Sequence, residues 1–196
     1  MTPEQSGARL VGLIGADATA EVTFGQVTVD VPAPSWVDAA TALRDDAQLA
    51  CGFFDWLSAY DDGDAGLAVV LHAWSTAQRH HLLLRTRVAR EDGRLASLTG
   101  VWPGANWHER ETYEMFGVVF DGHPNLVPLL LPEGFEGNPL RKEFVLASRV
   151  AKTWPGAKEP GESDHDTGAP GRRRMLPPGV PDPAVWGPDA TPEPSP

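Results

Sequence analysis

The sequence predicts a two-layer α+β domain, a mixed β-sheet of about five strands packed by helices, with an extended Pro/Gly-rich C-terminal tail. Three observations carry that reading. Short apolar runs of strand length recur with brief turn signals between them. Two segments instead place apolar residues at helical spacing. The composition then shifts sharply, because residues 151–196 hold 11 Pro and 6 Gly, 17 of 46 positions that break regular structure. At 196 residues, 41% hydrophobic and 22% charged, the chain suits one domain with appendages. The expected organisation is a flexible lead-in over 1–20, the α+β domain over 21–146 and a docking tail over 147–196.

Taken in order, residues 1–20 are small, polar and Gly/Ala-rich. Glu21 to Val31 alternates β-formers (Val22, Phe24, Val27, Val29, Val31), which predicts a strand or hairpin with Gly25 as a possible bulge. Pro32 to Ser35 breaks it. Ser35 is the expected N-cap, and Trp36, Ala39, Ala40, Leu43 and Ala47 predict a helix over 36–49. Phe53 to Ala59 reads as a strand, and Leu67 to Trp74 is apolar enough for a central one. His81 to Ala89 is expected to turn through Glu91-Asp92-Gly93 into Arg94 to Gly100 as a hairpin. Asn106 is the expected N-cap, with Glu109 its N3 partner, of a helix over about 107–116 that Gly117 stops.

Composition excludes whole classes of function. Lys+Arg is 16 and Asp+Glu is 27, a formal charge of −11, which argues against nucleic acid or an anionic membrane as partner. The single cysteine, Cys51, cannot form an intrachain disulfide, a zinc ribbon or an iron–sulfur cluster, and it favours a cytoplasmic setting. No run reaches the roughly 18–20 apolar residues of a membrane span. Met1 to Gln5 lacks the basic start of a signal peptide. Neither a dinucleotide fingerprint, nor a Walker A loop, nor a nucleophile elbow is present.

The densest polar cluster is His108-Glu109-Arg110-Glu111 with Glu114. Arg110 and Glu114 stand four residues apart, so one reading is a capped, ion-paired helix end. The other is that an Arg fork and two carboxylates are buried against a partner. His108-Glu109 lacks the second His of a zinc-protease helix. His123-Pro124 lies in a turn, and Arg141-Lys142-Glu143 is either a solvated triplet or a partner clamp. Trp154 and Trp186 stand in Pro-rich chain, either as interface anchors or folded back on their own domain.

The run from Glu109 to Gly117, then Phe120-Asp121-Gly122-His123-Pro124, resembles the signature of the C subunit of NADH-quinone oxidoreductase, the respiratory complex I family. Trp102 to Trp107, Leu131 to Gly137 and Pro139 to Phe144 are similar to the same family. Two positions depart from it. Val127-Pro128 stands where a basic residue is usual, and His108 where an apolar one is commoner.

The resemblance implies a non-redox peripheral-arm subunit of a proton-translocating enzyme, held on the cytoplasmic side of the cell membrane within a hetero-oligomer. It implies contact with the quinone-binding D subunit and the cluster-bearing B and I subunits. FMN and the iron–sulfur clusters belong to other subunits, and no catalytic, cofactor or metal residue is expected on this chain. The expected structural signature is Glu109, Arg110, Glu111, Glu114, Gly117, His123, Pro124, Arg141 and Lys142. Two alternatives remain open: a homologous subunit of a membrane-bound hydrogenase complex, and a stand-alone metal-dependent hydrolase using His108, Glu111 and His123.

Overall fold

Thr2 begins the ordered chain by capping a helix. The structure, a computed structural model, describes residues 1–144. Helix α1 spans Pro3–Ile14, with Pro at its first position and a reciprocal cap in which Thr2 and Gln5 bond each other's backbone N–H. The expectation of a flexible lead-in over 1–20 is therefore corrected. Low hydrophobicity disguises a helix that buries only one narrow stripe. Leu10 is fully buried, a contribution of about 1.5–3 kcal/mol. Gly7 lies so close to β2 that a Cβ there would meet Val27 Cγ2 at 2.7 Å.

Strands β1 (Thr19–Thr23) and β2 (Gln26–Asp30) form a hairpin. Gly25 serves the turn and not a bulge. Phe24 and Gly25 both take positive φ, 53° and 77°, the mirror-image turn that suits a right-twisted ribbon. Helix α2 is shorter than predicted, Trp36–Asp45. Asp46 turns extended and uses its carboxylate to accept the N–H groups of Gln48 and Leu49. Ser35 makes no side-chain cap, because it ends a short 3₁₀ turn (Ala33–Ser35) and lacks the extended backbone a cap needs.

Strands β3 (Phe53–Asp61), β4 (Leu67–Ser75) and β5 (His80–Val88) complete a five-stranded sheet of order β1-β2-β5-β4-β3. Only the β2–β5 pair is parallel, so the sheet is mixed. The expected hairpin from β5 into Arg94 is overturned. Asp92 does turn the chain at φ 54°, but β5 already has β2 on one side and β4 on the other. Strand β6 (Arg94–Ala96) therefore finds no free edge of β5 to join. It pairs instead, in parallel, with β7 (Val119–Asp121) in a separate two-stranded sheet.

Helix α3 spans Ala105–Phe116 and packs on β3. One face of the large sheet carries Val27, Val29, Leu57, Leu67, Val69, Leu71, Leu82 and Leu84 into the core, with Trp36 of α2 fully buried above it. The other face leaves Trp56, Tyr60 and Trp74 at least one-third exposed, as one-sided sheets commonly do. Met1–Phe144 forms one compact unit. The expected tail over 147–196, with Trp154 and Trp186, lies outside the described residues.

Candidate functional site

The signature residues converge on α3, and most of them bind this chain's own backbone. Every carbonyl that the last turn of α3 leaves open finds a donor. Gly117 N–H reaches Tyr113 O at 2.8 Å and Leu140 N–H reaches Met115 O at 3.2 Å. Asn138 Nδ2 donates to Glu114 O at 2.9 Å and Arg141 Nε to Phe116 O at 2.6 Å. Gly117 ends the helix in the left-handed region at φ 76°. A Cβ there would meet Arg141 Nη2 at 2.6 Å and Asn138 Oδ1 at 2.8 Å.

Arg110 and Glu114 occupy one side of α3 but form no ion pair with each other. Arg110 donates from Nε to Val127 O and from Nη2 to Pro128 O, both at 2.9 Å. Its guanidinium lies 5.4 Å from the Trp107 ring centre. Glu114 accepts the N–H groups of Leu130 and Leu131 at 2.8 and 2.7 Å. Desolvation pushes the Glu114 carboxyl up. The backbone N–H groups of Leu130, Leu131 and Leu129, with the Arg110 charge, outweigh it and hold the group below its ordinary value. The two side chains thus clamp residues 127–131 from opposite hydrogen-bonding signs, carbonyls on one and amides on the other.

Glu109 is not the capping partner the sequence suggests. The N-cap position is Gly104, with no side-chain cap, and Asn106 already lies inside the helix. Glu109 is fully buried and points at the segment after β6. It accepts Leu98 N–H and Ser97 Oγ–H, each at 2.6 Å. Burial pushes its pKa up to about 7 against the pull of those two bonds. His123 approaches it, Nε2 to Oε2 at 4.0 Å, with both side chains excluded from solvent. His123 Nδ1 accepts Asn125 N–H at 3.0 Å, which leaves Nε2–H to donate to Asn106 O at 3.1 Å. The His123 side chain is therefore a buried pin between the turn and α3.

The Arg141 triplet forms a second brace. Lys142 contributes its backbone N–H, 2.9 Å from Asp61 Oδ2. Asp61 also accepts Gly63 N–H and a two-pronged bond from Arg90, and Arg90 continues to Glu143 at 2.7 Å. The Arg90 fork, then the Lys142 and Gly63 amides, hold the Asp61 carboxyl well below the usual carboxylate range. Sequence reasoning misses Asp61, Arg90, Ser97 and Asn138. Asp61-Asp62-Gly63-Asp64 reads as a turn, and only its position opposite Arg90 and Lys142 makes Asp61 a hub. Glu111 makes no hydrogen bond or ion pair among the described residues.

The model of the family described as respiratory-chain NADH dehydrogenase, 30 kDa subunit, matches residues 29–150. The chain belongs to this family. The C subunit of NADH-quinone oxidoreductase from Roseiflexus castenholzii is 44% identical over 133 residues, covering 66% of this chain and 76% of that protein. That of Mesorhizobium japonicum is 38% identical over 148 residues, covering 74% and 71%. A trypsin-resistant fragment of Nqo5 shares the fold at TM-score 0.51 and 27% identity, covering 63% of this chain and 95% of the fragment. A chain of a membrane-bound sulfane sulfur reductase, an archaeal respiratory membrane complex, shares the fold at TM-score 0.63 and 21% identity, covering 82% and 96%. As a member of this family the chain is one component of a multi-subunit enzyme, NADH-quinone oxidoreductase.

The two departures from the family pattern now have places. The Val127 side chain is exposed; its carbonyl accepts from Arg110 and its N–H donates to Asn125 O at 3.0 Å. His108 donates from Nδ1 to Leu57 O at 3.1 Å and sits edge-on against Phe54, filling the seam between α3 and β3. The hydrolase triad of His108, Glu111 and His123 is not assembled: His108 faces β3, while His123 faces Asn106 and Glu109. Among the described residues no group of three or more His, Cys, Asp or Glu is placed to hold a metal ion. No helix among them is long and apolar enough to cross a membrane.

Proposed function

We propose that this chain is a non-redox subunit in the peripheral arm of a proton-translocating NADH-quinone oxidoreductase. It helps assemble and position the quinone-binding D subunit and the cluster-bearing B and I subunits. It is held on the cytoplasmic side of the membrane through the complex and carries out no chemistry alone. The observation that carries this reading is how the signature is used. Glu109, Arg110, Glu114, His123 and Arg141 are tied to this chain's own backbone, which stiffens the segment after α3 into a defined surface. Such bonds shape a docking face and leave no nucleophile beside a base. Glu111, the signature carboxylate with no partner among the described residues, is the group this reading assigns to a neighbouring subunit. The net charge of −11 suits neutral or basic protein surfaces.

The test is complementation of a deletion strain with Arg110→Ala, scored on two axes. Assembled complex is measured on native gels, and NADH-quinone turnover is measured per assembled complex. Less assembly with preserved turnover is expected, together with recovery of the B, D and I subunits when the wild-type chain is pulled from detergent-solubilised membranes. Normal assembly with abolished turnover would overturn the reading. So would a chain recovered as a lone monomer whose deletion leaves membrane activity intact.

A further inference from the structure

The open face of the large sheet carries a hydrogen-bonded chain that the assembly reading does not use. His72 on β4 and His81 on β5 are diagonal neighbours there, because His72 pairs with Leu83 and His81 with Trp74 across the strands. Their rings meet head-on. His72 Nε2 and His81 Nδ1 lie 2.8 Å apart, with ring centres 5.0 Å apart and ring planes perpendicular. Asp55, the residue at the β3 irregularity between Phe54 and Trp56, places Oδ2 2.8 Å from the other nitrogen of His72, Nδ1. The Gln26 carboxamide on β2 reaches His81 Nδ1 at 3.1 Å. Four strands thus contribute one chain of contacts, Asp55 to His72 to His81 to Gln26.

The contact between the rings tolerates one added proton and not two. The Asp55 carboxylate is an acceptor, so it takes the Nδ1–H of His72. With both rings neutral, His72 Nε2 is a lone pair, and His81 Nδ1–H donates to it. The Gln26 oxygen then faces that same N–H. One added proton turns His72 into an imidazolium, held on one side by the carboxylate. Its Nε2–H now donates to the lone pair of His81 Nδ1, and Gln26 donates there too after a half-turn of its amide. The 2.8 Å contact survives in both states. A second added proton puts an N–H on each of the two facing nitrogens. Two donors cannot share that distance, and two imidazolium charges repel, so the rings part.

We propose that Asp55, His72, His81 and Gln26 form a proton-sensing latch on the open sheet face, closed with no added proton or one and opened by the second. The opening reshapes the aromatic patch built on the latch. Trp74 stacks on His81 at 4.2 Å and 14°, Phe53 is the direct cross-strand neighbour of Trp74, and Trp56 lies 5.6 Å from His72. All three are at least one-third exposed. Burial, then the neighbouring His72 and His80, lowers the pKa of His81, as a ring that resists the second proton requires. The unfolded chain takes up that proton near the ordinary value of 6.5, so the folded state loses stability as pH falls below it. The other charges on this face are engaged elsewhere. Arg85 forks onto Asp30 and reaches Tyr60, and Arg87 binds Asp30 and Asp62. His80 points to the opposite face and bonds Leu49 O. Glu21 on β1 lies beyond Thr28 in the His72 row, and Arg79 lies in the turn between β4 and β5.

The full 196-residue chain decides it. Imidazole nitrogens of the ¹⁵N-labelled protein are followed by nuclear magnetic resonance on acidification, in wild type, His72→Gln, His81→Gln and Asp55→Asn, and the melting temperature of each is recorded along the same series. In wild type both rings should respond in two shared steps, with the second proton bound at least about tenfold more weakly than the first. The Trp74 indole N–H should move with the second step only. In His72→Gln, His81 should take its proton in a single step, at higher pH than the second step of wild type. Asp55→Asn should weaken binding of the first proton. On acidification wild type should lose more melting temperature than His81→Gln. Rings that titrate independently, each unmoved by loss of the other, would overturn the proposal. So would an unmoved first step in Asp55→Asn, or equal acid losses in wild type and His81→Gln. If a variant does not fold, the wild-type curves decide alone: shared steps uphold the latch, and two independent single steps refute it.

Discussion

Replacing Glu109 by Gln isolates the cost of a buried carboxyl, and the structure sets its size. Both oxygens of Glu109 are occupied, by Leu98 N–H and Ser97 Oγ–H, and the residue is 0% exposed. Burial lifts its pKa from an ordinary 4.5 to about 7. The folded state therefore keeps a proton that the unfolded chain releases between those two values. Below pH 4.5 both states are protonated and the carboxyl carries no ionisation cost. As pH rises from 4.5 to about 7 the unfolded chain is favoured progressively, and above that the loss is complete. At about 1.4 kcal/mol per pH unit the loss is of the order of 3 kcal/mol. Glutamine keeps an acceptor for Leu98 N–H and offers its amide to Ser97 Oγ, and it does not titrate. The wild type should therefore lose about 3 kcal/mol relative to Glu109→Gln between roughly pH 4.5 and 7.5. For a chain of this size that is about 6–12 °C in melting temperature. Urea unfolding followed by tryptophan fluorescence at several pH values measures the difference. Parallel stability curves for the two proteins, or a variant that weakens relative to wild type as pH rises, would refute the assignment of Glu109 as a desolvated acid.

Two further substitutions probe the backbone. Gly117→Ala forces a Cβ into the left-handed cap and against Arg141 and Asn138. The conformational part alone costs about 1–2 kcal/mol, so a clear fall in melting temperature is expected and faster hydrogen exchange over residues 138–144; an unchanged melt would show that the helix end is not braced as described. Phe24→Asn relieves a fully exposed aromatic at φ 53° in a turn that favours Asn-Gly. A gain of up to about 1 kcal/mol in thermal or urea unfolding is expected, and a loss would mean that the Phe24 ring contributes contacts the hairpin needs.

Much of the fold is legible in the chain because its signals are local. Period-two alternation marks β2, the apolar run of β4 marks an interior strand, and Gly117 marks the end of α3. The errors share a cause. Residues 1–20 read as structureless because α1 is stabilised by a cap and one buried leucine, not by a broad apolar stripe. The Asp92-Gly93 turn promises a hairpin, and its local chemistry is right, but both edges of β5 are taken by other strands of the sheet. The signature helix is recognisable by its order of residues. The role of each residue is not, since Arg110 and Glu114 satisfy the local i, i+4 rule while their hydrogen-bond partners lie 16–18 positions further on.

The family, the α+β class, the acidic balance of charge and the places where helices and strands must stop are all written in the chain, because they depend on composition and on neighbours a few residues apart. Folding adds the rest: Glu109 becomes a solvent-free acid, Asp61 gathers Arg90 and Lys142, and His72 meets His81. The last follows from which strands lie side by side, and the first two from how α3 and the segments after β5, β6 and α3 pack together; none of these is contained in a short window of residues.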